Sequence, residues 1–246
     1  MYLWKYWRES RITFGVGVLV LGLLLAIFLH AHFFYAGTTP RESVPNPIHT
    51  ILFFSAAPLA VIAWFMGSFG VGRNMGEGAG AYLLTRPRRR SWFVWRDWAF
   101  GLALIAVLVI LYDLLEAKLL PGSIKLRDLP EKVSLARLLG LNDIILFLFC
   151  GLIFGLVYLL TIVLKNVLGT LVAGGMLAGY VILAEIIHHY YGLHLPYLML
   201  RGYVTSPVMG SVVGIADHLG LSVAIRAALL LVFPVAAQIV LERVDI

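Results

Sequence analysis

Six apolar runs, each of about twenty residues or more, dominate this chain of 246 residues. A helix of ~20 apolar residues is long enough to cross the hydrocarbon core of a bilayer, and a backbone inside lipid must satisfy its own hydrogen bonds. We therefore expect an all-α, polytopic membrane protein with six transmembrane helices, forming a single transmembrane domain over residues 1–246. The expected spans are residues 12–35, 48–71, 92–115, 141–164, 167–187 and 221–241.

Composition excludes an ordinary soluble domain. Hydrophobic residues make up 61% of the chain, the mean hydropathy is +0.93 and charged residues are 13%, against ~25% in typical soluble domains. The net charge of +6 comes from basic residues at the ends of apolar runs, where they meet anionic lipid headgroups. We therefore predict lipid contacts and no nucleic-acid partner.

One polar stretch, Arg73 to Asp97, separates the second and third runs. It holds the densest positive cluster of the chain, over residues 86–90, and such clusters stay on the cytoplasmic side of a membrane. Glu77 to Leu84 can form two turns of helix, and Pro87 disfavours helical geometry in the residue before it. The pattern predicts a short cytoplasmic helix followed by a basic hook, over residues 74–90.

This stretch carries an ordered motif: an acidic residue, a glycine, a Leu-Leu pair, Thr, Pro and then basic residues. The motif positions are Glu77, Gly80, Leu83, Leu84, Thr85, Pro87, Arg88 and Arg90. In this order the chain resembles the permease subunits of type 2 ATP-binding-cassette exporters, with Arg96 where that family often has Lys. The resemblance implies that Glu77 to Thr85 is a coupling helix that docks in a groove of a cytosolic ATPase subunit. The residues assigned to that contact are Glu77, Gly80, Tyr82, Leu83, Leu84, Thr85, Arg86, Pro87, Arg88 and Arg90. The alternative is an ordinary basic loop that only orients the protein.

The resemblance also implies how such a permease is driven. The chain contains no Gly-Lys-Ser or Gly-Lys-Thr phosphate loop, so we expect no ATP hydrolysis by this chain and no cofactor bound to it. ATP and Mg would belong to the partner ATPase. Six spans are half of a translocation unit in this family, which implies a dimer with a second permease copy or a homologous permease. The expected function is export of a substrate through a pathway between the two halves.

The N-terminal residues 1–11 are aromatic and basic, which favours the headgroup region. We predict an interfacial elbow helix there, and the alternative is a charged flank with an aromatic belt. The predicted membrane-interface residues are Trp4, Lys5, Trp7, Arg8, Trp92 and Trp95.

Residues 188–220 are interrupted by proline and glycine, and we expect short outer re-entrant or amphipathic helices there.

Six spans that begin from a cytoplasmic N-terminus place both termini on the cytoplasmic side of a cell inner membrane. This orientation puts eleven Lys and Arg residues inside and eight outside. Asp113, Arg137 and Asp143 are expected to pair and anchor the ends of the third and fourth spans.

A second constellation supports an alternative function. Glu185, His188 and His189 share a helix face by their spacing, and His194 follows. Such residues could bind a metal, so an intramembrane metal-dependent enzyme or a metal-binding membrane protein is the competing hypothesis. There is no His-Glu-x-x-His arrangement, which favours ordinary interfacial histidines. A non-transporting membrane scaffold is a third hypothesis.

Overall fold

A computed structural model describes residues 2–35, 59–76, 90–119, 135–165, 168–176, 203–205, 212–215 and 219–243. The helices are α1 (Tyr2–Tyr35), α2 (59–67), α3 (Val71–Gly76), α4 (Arg90–Leu119), α5 (Leu135–Leu164), α6 (168–176) and α7 (Leu219–Glu242). The strands are β1 (Tyr203–Thr205) and β2 (Val212–Ile215).

Within the described part of the chain, three helices are long and apolar enough to cross a membrane. They contain Ser91–Tyr112, Asp143–Leu164 and Gly220–Glu242, which coincide with the third, fourth and sixth predicted spans. The predicted membrane protein is confirmed at this level. The other three predicted spans fall on α1, α2 and α6 and on residues outside the description, so the count of six stays a prediction.

The first helix is longer than expected. Tyr2–Tyr35 is one continuous helix of 34 residues, about 50 Å at 1.5 Å per residue, against ~30 Å for a hydrocarbon core. A separate elbow helix over residues 1–11 is therefore not observed. The aromatic and basic residues 2–11 instead form the first turns of this continuous helix.

The second predicted span ends earlier than residue 71. Its described helix stops at residue 67, a turn follows, and Gly70 adopts a positive φ of 100°. Because only glycine enters that region at little cost, the chain breaks there and restarts as the short helix Val71–Gly76. Residues 74–76 of the predicted segment 74–90 thus belong to α3, and the predicted coupling helix from Glu77 to Thr85 lies outside the described residues.

The described residues are helical, as predicted, apart from two short strands within residues 203–215. β1 and β2 pair antiparallel, with Tyr203 opposite Ile215 and Thr205 opposite Val212. These strands replace part of the outer helices predicted over residues 188–220. The physical reason is local composition, since the segment is rich in aromatic and β-branched residues and is broken by Pro207 and Gly210.

The bundle is centred on α5, which packs against α3, α4 and α7. Two glycines one turn apart, Gly151 and Gly155, form a small-residue face on α5. A methyl group placed on Gly151 would lie 3.0 Å from Leu230 Cδ1, and one on Gly155 would lie 2.6 Å from Phe233 Cδ2. The two glycines therefore let α7 approach the α5 backbone closely.

Candidate functional site

The predicted ATPase-contact segment runs between two helices that the structure describes. α3 ends at Gly76 and α4 begins at Arg90. The intervening residues 77–89 lie outside the description, and so do these assigned residues: Glu77, Gly80, Tyr82, Leu83, Leu84, Thr85, Arg86, Pro87 and Arg88. We call the end of the bundle where the two helices meet this segment the basic end, after Arg73, Arg90, Arg96, Lys165 and Arg243.

A buried carboxylate lies at the basic end. Asp97, in the second turn of α4, has no exposed surface, and its Oδ1 lies 3.7 Å from Arg96 Nη2. The Arg96 guanidinium in turn stacks over Trp92, with its central carbon 4.1 Å from the ring centroid. A buried carboxylate costs several kcal/mol of desolvation unless charges and donors surround it. The buried Asp97 carboxylate therefore depends on the charges and donors that the neighbouring elements bring close to it.

The turn before α3 packs directly on this carboxylate. A methyl group placed on Gly70 would lie 2.9 Å from Asp97 Oδ2 and 3.3 Å from Tyr158 Cε2. The buried Asn74 fixes the turn, since its Nδ2 donates to Gly70 O at 2.8 Å and its backbone N donates to the same oxygen at 3.2 Å. Position 70 thus needs glycine for two reasons: the backbone has a positive φ there, and Asp97 leaves no room for a side chain.

Two buried tyrosines extend the contact to α1 and α5. The Tyr6 hydroxyl donates to Met66 O at 3.3 Å, and its ring meets Phe100 edge-on with centroids 5.4 Å apart. The Tyr158 hydroxyl donates to Val94 O at 3.4 Å. Burial raises the pKa of Tyr6 well above its ordinary value, and the negative charges of Asp97 and then Glu9 raise it further. Tyr6 therefore stays a neutral hydrogen-bond donor.

The backbones of α3 and α5 also touch. A methyl group on Gly72 would lie 2.6 Å from Thr161 C, and one on Gly169, in α6, would lie 2.6 Å from Thr161 N. Thr161 turns its hydroxyl inward and donates to Tyr158 O at 2.8 Å. The last turns of α5 are therefore held between α3 and α6. We call the cluster Tyr6, Gly70, Gly72, Asp97 and Tyr158 the basal knot.

The predicted interface residues are divided between exposed and packed positions. Trp4 is largely exposed, Arg8 is exposed and Trp7 packs against Phe14. Trp92 and Trp95 are each 37% exposed. The last interface residue, Lys5, lies in α1, and its side chain is outside the description.

A polar chain links α4 to α7 at the same end. Trp95 Nε1 donates to Gln238 Oε1 at 2.9 Å, and Gln238 Nε2 donates to Glu242 Oε1 at 2.9 Å. Trp95, near the start of α4, therefore also holds the C-terminal end of α7 in place.

The competing metal hypothesis rests on residues that the structure does not describe. Glu185, His188, His189 and His194 all lie in that part of the chain. Among the described ranges no group of three or more His, Cys, Asp or Glu side chains is placed to hold a metal ion. The lone cysteine, Cys150, is buried and reduced.

The basal knot does not follow from any sequence motif. Asp97 is the last residue of the polar stretch that begins at Arg73, and the sequence pattern gives it no further role. The available signal was the position of Asp97 more than one turn inside the apolar run 92–115, where an ionisable group is costly. No family model, curated protein or solved structure matches the chain.

Proposed function

We propose that this chain is the permease subunit of an ATP-binding-cassette exporter, with the segment 77–89 as its contact with a separate ATPase. Two such chains, or this chain and a related one, would enclose the translocation pathway. The motif from Glu77 to Arg96 supports the assignment, as do the three apolar helices of membrane-spanning length. The observation that carries the proposal is the basal knot.

The knot holds both ends of the proposed contact segment. On the α3 side, Gly70 and Gly72 press against Asp97 and Thr161. On the α4 side, Asp97 lies seven residues after Arg90 in the same helix. A segment anchored in this way cannot move without moving α3 and α4. An ordinary loop that only orients a protein needs no such anchoring.

Movement at the segment would reach the other helices through the same contacts. The Tyr6–Met66 and Tyr158–Val94 hydrogen bonds connect α1 and α5 to the knot. When ATP closes the ATPase subunits, the segment would move with them as a rigid lever, and the four connected helices would tilt together. ATP shifts such an equilibrium only by its different affinity for the two states.

Residue roles follow from chemistry and position. Glu77 and Arg86 would make the polar contacts to the ATPase, and Tyr82, Leu83 and Leu84 would fill an apolar groove. This chain would bind neither ATP nor Mg, which belong to the partner subunit.

The proposal is tested by purifying the tagged chain from its native membrane in mild detergent. We expect an ATPase with a phosphate loop to co-purify. Each of Glu77→Lys, Leu84→Ala and Arg86→Ala should reduce its recovery at least tenfold, about 1.4 kcal/mol of binding. Arg243→Ala is the matched control for Arg86→Ala, because Arg243 is an exposed basic residue at the same end outside the segment.

Two results would contradict the proposal. Recovery of the ATPase unchanged in all segment variants would exclude the segment as the contact. A stoichiometric metal that is lost on changing His188 and His189, without any ATPase partner, would favour the metal-site hypothesis.

A further inference from the structure

One exposed face of α1 begins with two cations at the basic end. Trp4 is 63% exposed, and Arg8 and Arg11 are exposed as well. Because successive residues of a helix are about 100° apart around its axis, these three side chains fall within about 60° of one another. Residues three apart are also neighbours along a helix surface, so one anion can contact both arginines. We call Trp4, Arg8 and Arg11 the cationic face of α1.

The positive charge of this face is not neutralised within the described part of the chain. Among the described residues, Arg8 and Arg11 make no ion pair and no hydrogen bond through their side chains. Glu9 is the one acidic residue in the sequence of α1, and it lies about 100° around the helix from Arg8 and further from Arg11. Its negative charge acts on the buried Tyr6 instead. A counter-charge for the cationic face therefore has to come from outside the chain.

The same face continues as a shallow groove toward the middle of α1. Gly15 and Gly22 are both exposed, and a methyl group on either would meet nothing within 4 Å. Gly17 lies on the other side of the helix, where a methyl group would be 2.9 Å from Ile62 Cδ1. Gly22 is about 16 Å along the axis from Arg11, which is half of the ~30 Å hydrocarbon core. This glycine groove, Gly15 and Gly22, therefore has the depth of one leaflet.

The walls of the groove are apolar. Val18 and Leu19 lie between the two glycines in sequence and on either side of them around the helix, and they are 41% and 69% exposed. Ile12, directly after Arg11, is 70% exposed. The exposed face thus changes from charged to apolar within a single residue, as the boundary between headgroups and acyl chains does.

Charge distinguishes between the two kinds of molecule that could cover this face. Two copies of the chain related by a twofold axis along the membrane normal would bring identical residues together near the axis. Arg8 and Arg11 of one copy would then meet the same arginines of the other, and like charges repel. A phospholipid with a net negative headgroup supplies the counter-charge and an acyl chain at the matching depth.

We propose that this face of α1 is a binding site for one anionic phospholipid. The lipid phosphate contacts Arg8 and Arg11, the Trp4 ring lies among the headgroups, and one acyl chain occupies the glycine groove. The site goes beyond general contact with the bilayer because its charge and its groove select a lipid. The proposal requires that the chain lies in a membrane and is independent of the exporter function.

Native mass spectrometry of the full chain in detergent, with defined lipid added, measures the binding. Phosphatidylglycerol should bind as one molecule and about tenfold or more tightly than phosphatidylcholine, because only the former has a net negative charge. Glycerol 3-phosphate at the same concentration should not compete, since it lacks the acyl chains that fill the groove.

A double variant tests the cationic face. Arg8→Gln combined with Arg11→Gln should weaken phosphatidylglycerol binding about tenfold or more. The matched control is Lys165→Gln combined with Arg243→Gln, which removes two exposed cations from the same end of the bundle but outside α1. The control should leave binding of this lipid unchanged.

A single variant tests the groove. Gly15→Leu places a side chain where the acyl chain lies and should also weaken phosphatidylglycerol binding about tenfold. Its melting temperature in lipid-free detergent should stay unchanged, because position 15 is open. Gly175→Leu, at an equally open position of α6, is the control and should bind the lipid normally.

Four results would overturn the proposal. Equal binding of the two lipids, or undiminished binding by the arginine variant, would exclude recognition of charge at this face. Equal losses in the arginine variant and its control would show a general effect of net charge. Undiminished binding by Gly15→Leu would exclude the groove. A disulfide between two copies carrying Gly15→Cys and Cys150→Ala in the native membrane would assign the face to a second copy.

Discussion

At the scale of single residues, Gly70 and Asp97 explain why the basal knot closes. Gly70 takes a backbone conformation that L side chains avoid, and this allows the turn to press on a carboxylate with no exposed surface. Asp97 is stable there because Arg96 lies beside it and packed elements exclude water. The conformation of Gly70 and the burial of Asp97 leave no trace in the spacing of apolar residues, so sequence patterns did not identify the site.

Gly70→Ala should destabilise the protein by roughly 1–3 kcal/mol, because the new methyl group meets Asp97 Oδ2 and the residue is held at positive φ. Thermal unfolding in detergent measures the loss. Gly175→Ala is the matched control, since a methyl group there meets nothing within 4 Å, and it should leave the melting temperature unchanged. Equal effects of the two substitutions would contradict the role given to Gly70.

Tyr6→Phe should cost about 1 kcal/mol, because it removes the hydrogen bond to Met66 O and keeps the ring contact with Phe100. The pH dependence follows from the raised pKa of Tyr6. The folded pKa lies above the unfolded value of ~10, so the neutral phenol stabilises the fold below pH ~10 and this stabilisation is lost as the pH rises further.

The measurement is melting temperature between pH 8 and about 11. The unchanged protein should lose stability more steeply than Tyr6→Phe above pH ~10. Identical slopes for the two proteins would show that Tyr6 does not titrate in the unfolding reaction.

At the scale of elements, the helices were predictable where length and hydropathy decide. The third, fourth and sixth spans coincide with α4, α5 and α7, because an apolar run of about twenty residues leaves few alternatives. Length and hydropathy did not predict β1 and β2, because a short apolar segment broken by Pro207 and Gly210 is equally compatible with a strand or a helix. The break at Gly70 depends on tertiary contacts with Asp97 and Tyr158.

The close approach of α5 and α7 gives a prediction at this scale. Gly155→Leu should destabilise the bundle by roughly 1–3 kcal/mol, because the new side chain must displace Phe233. Gly140→Leu is the control on the same helix, as a methyl group there meets nothing within 4 Å. A melting temperature lowered equally by both variants would contradict the predicted packing.

At the scale of the whole molecule, α3, α4 and α5 converge at the basic end and are joined to α1 by the basal knot. Residues 77–89 connect two anchored helices, so under the proposed function a movement of the ATPase would reach α3 and α4 through this segment. The motif and the positive charge predicted this segment from the sequence. The structure adds that the helices on both sides of it, α3 and α4, are packed against each other at Gly70 and Asp97.

The most direct test is photo-crosslinking in the native membrane from a photoreactive amino acid at position 82, with the same group at position 175 as control. The account predicts a crosslinked partner from position 82 that carries a Gly-x-x-x-x-Gly-Lys-Ser or -Thr loop, and none from position 175. Crosslinks from position 82 to periplasmic proteins only, or no crosslink to an ATPase, would contradict the central claim that this segment is driven by a separate ATPase.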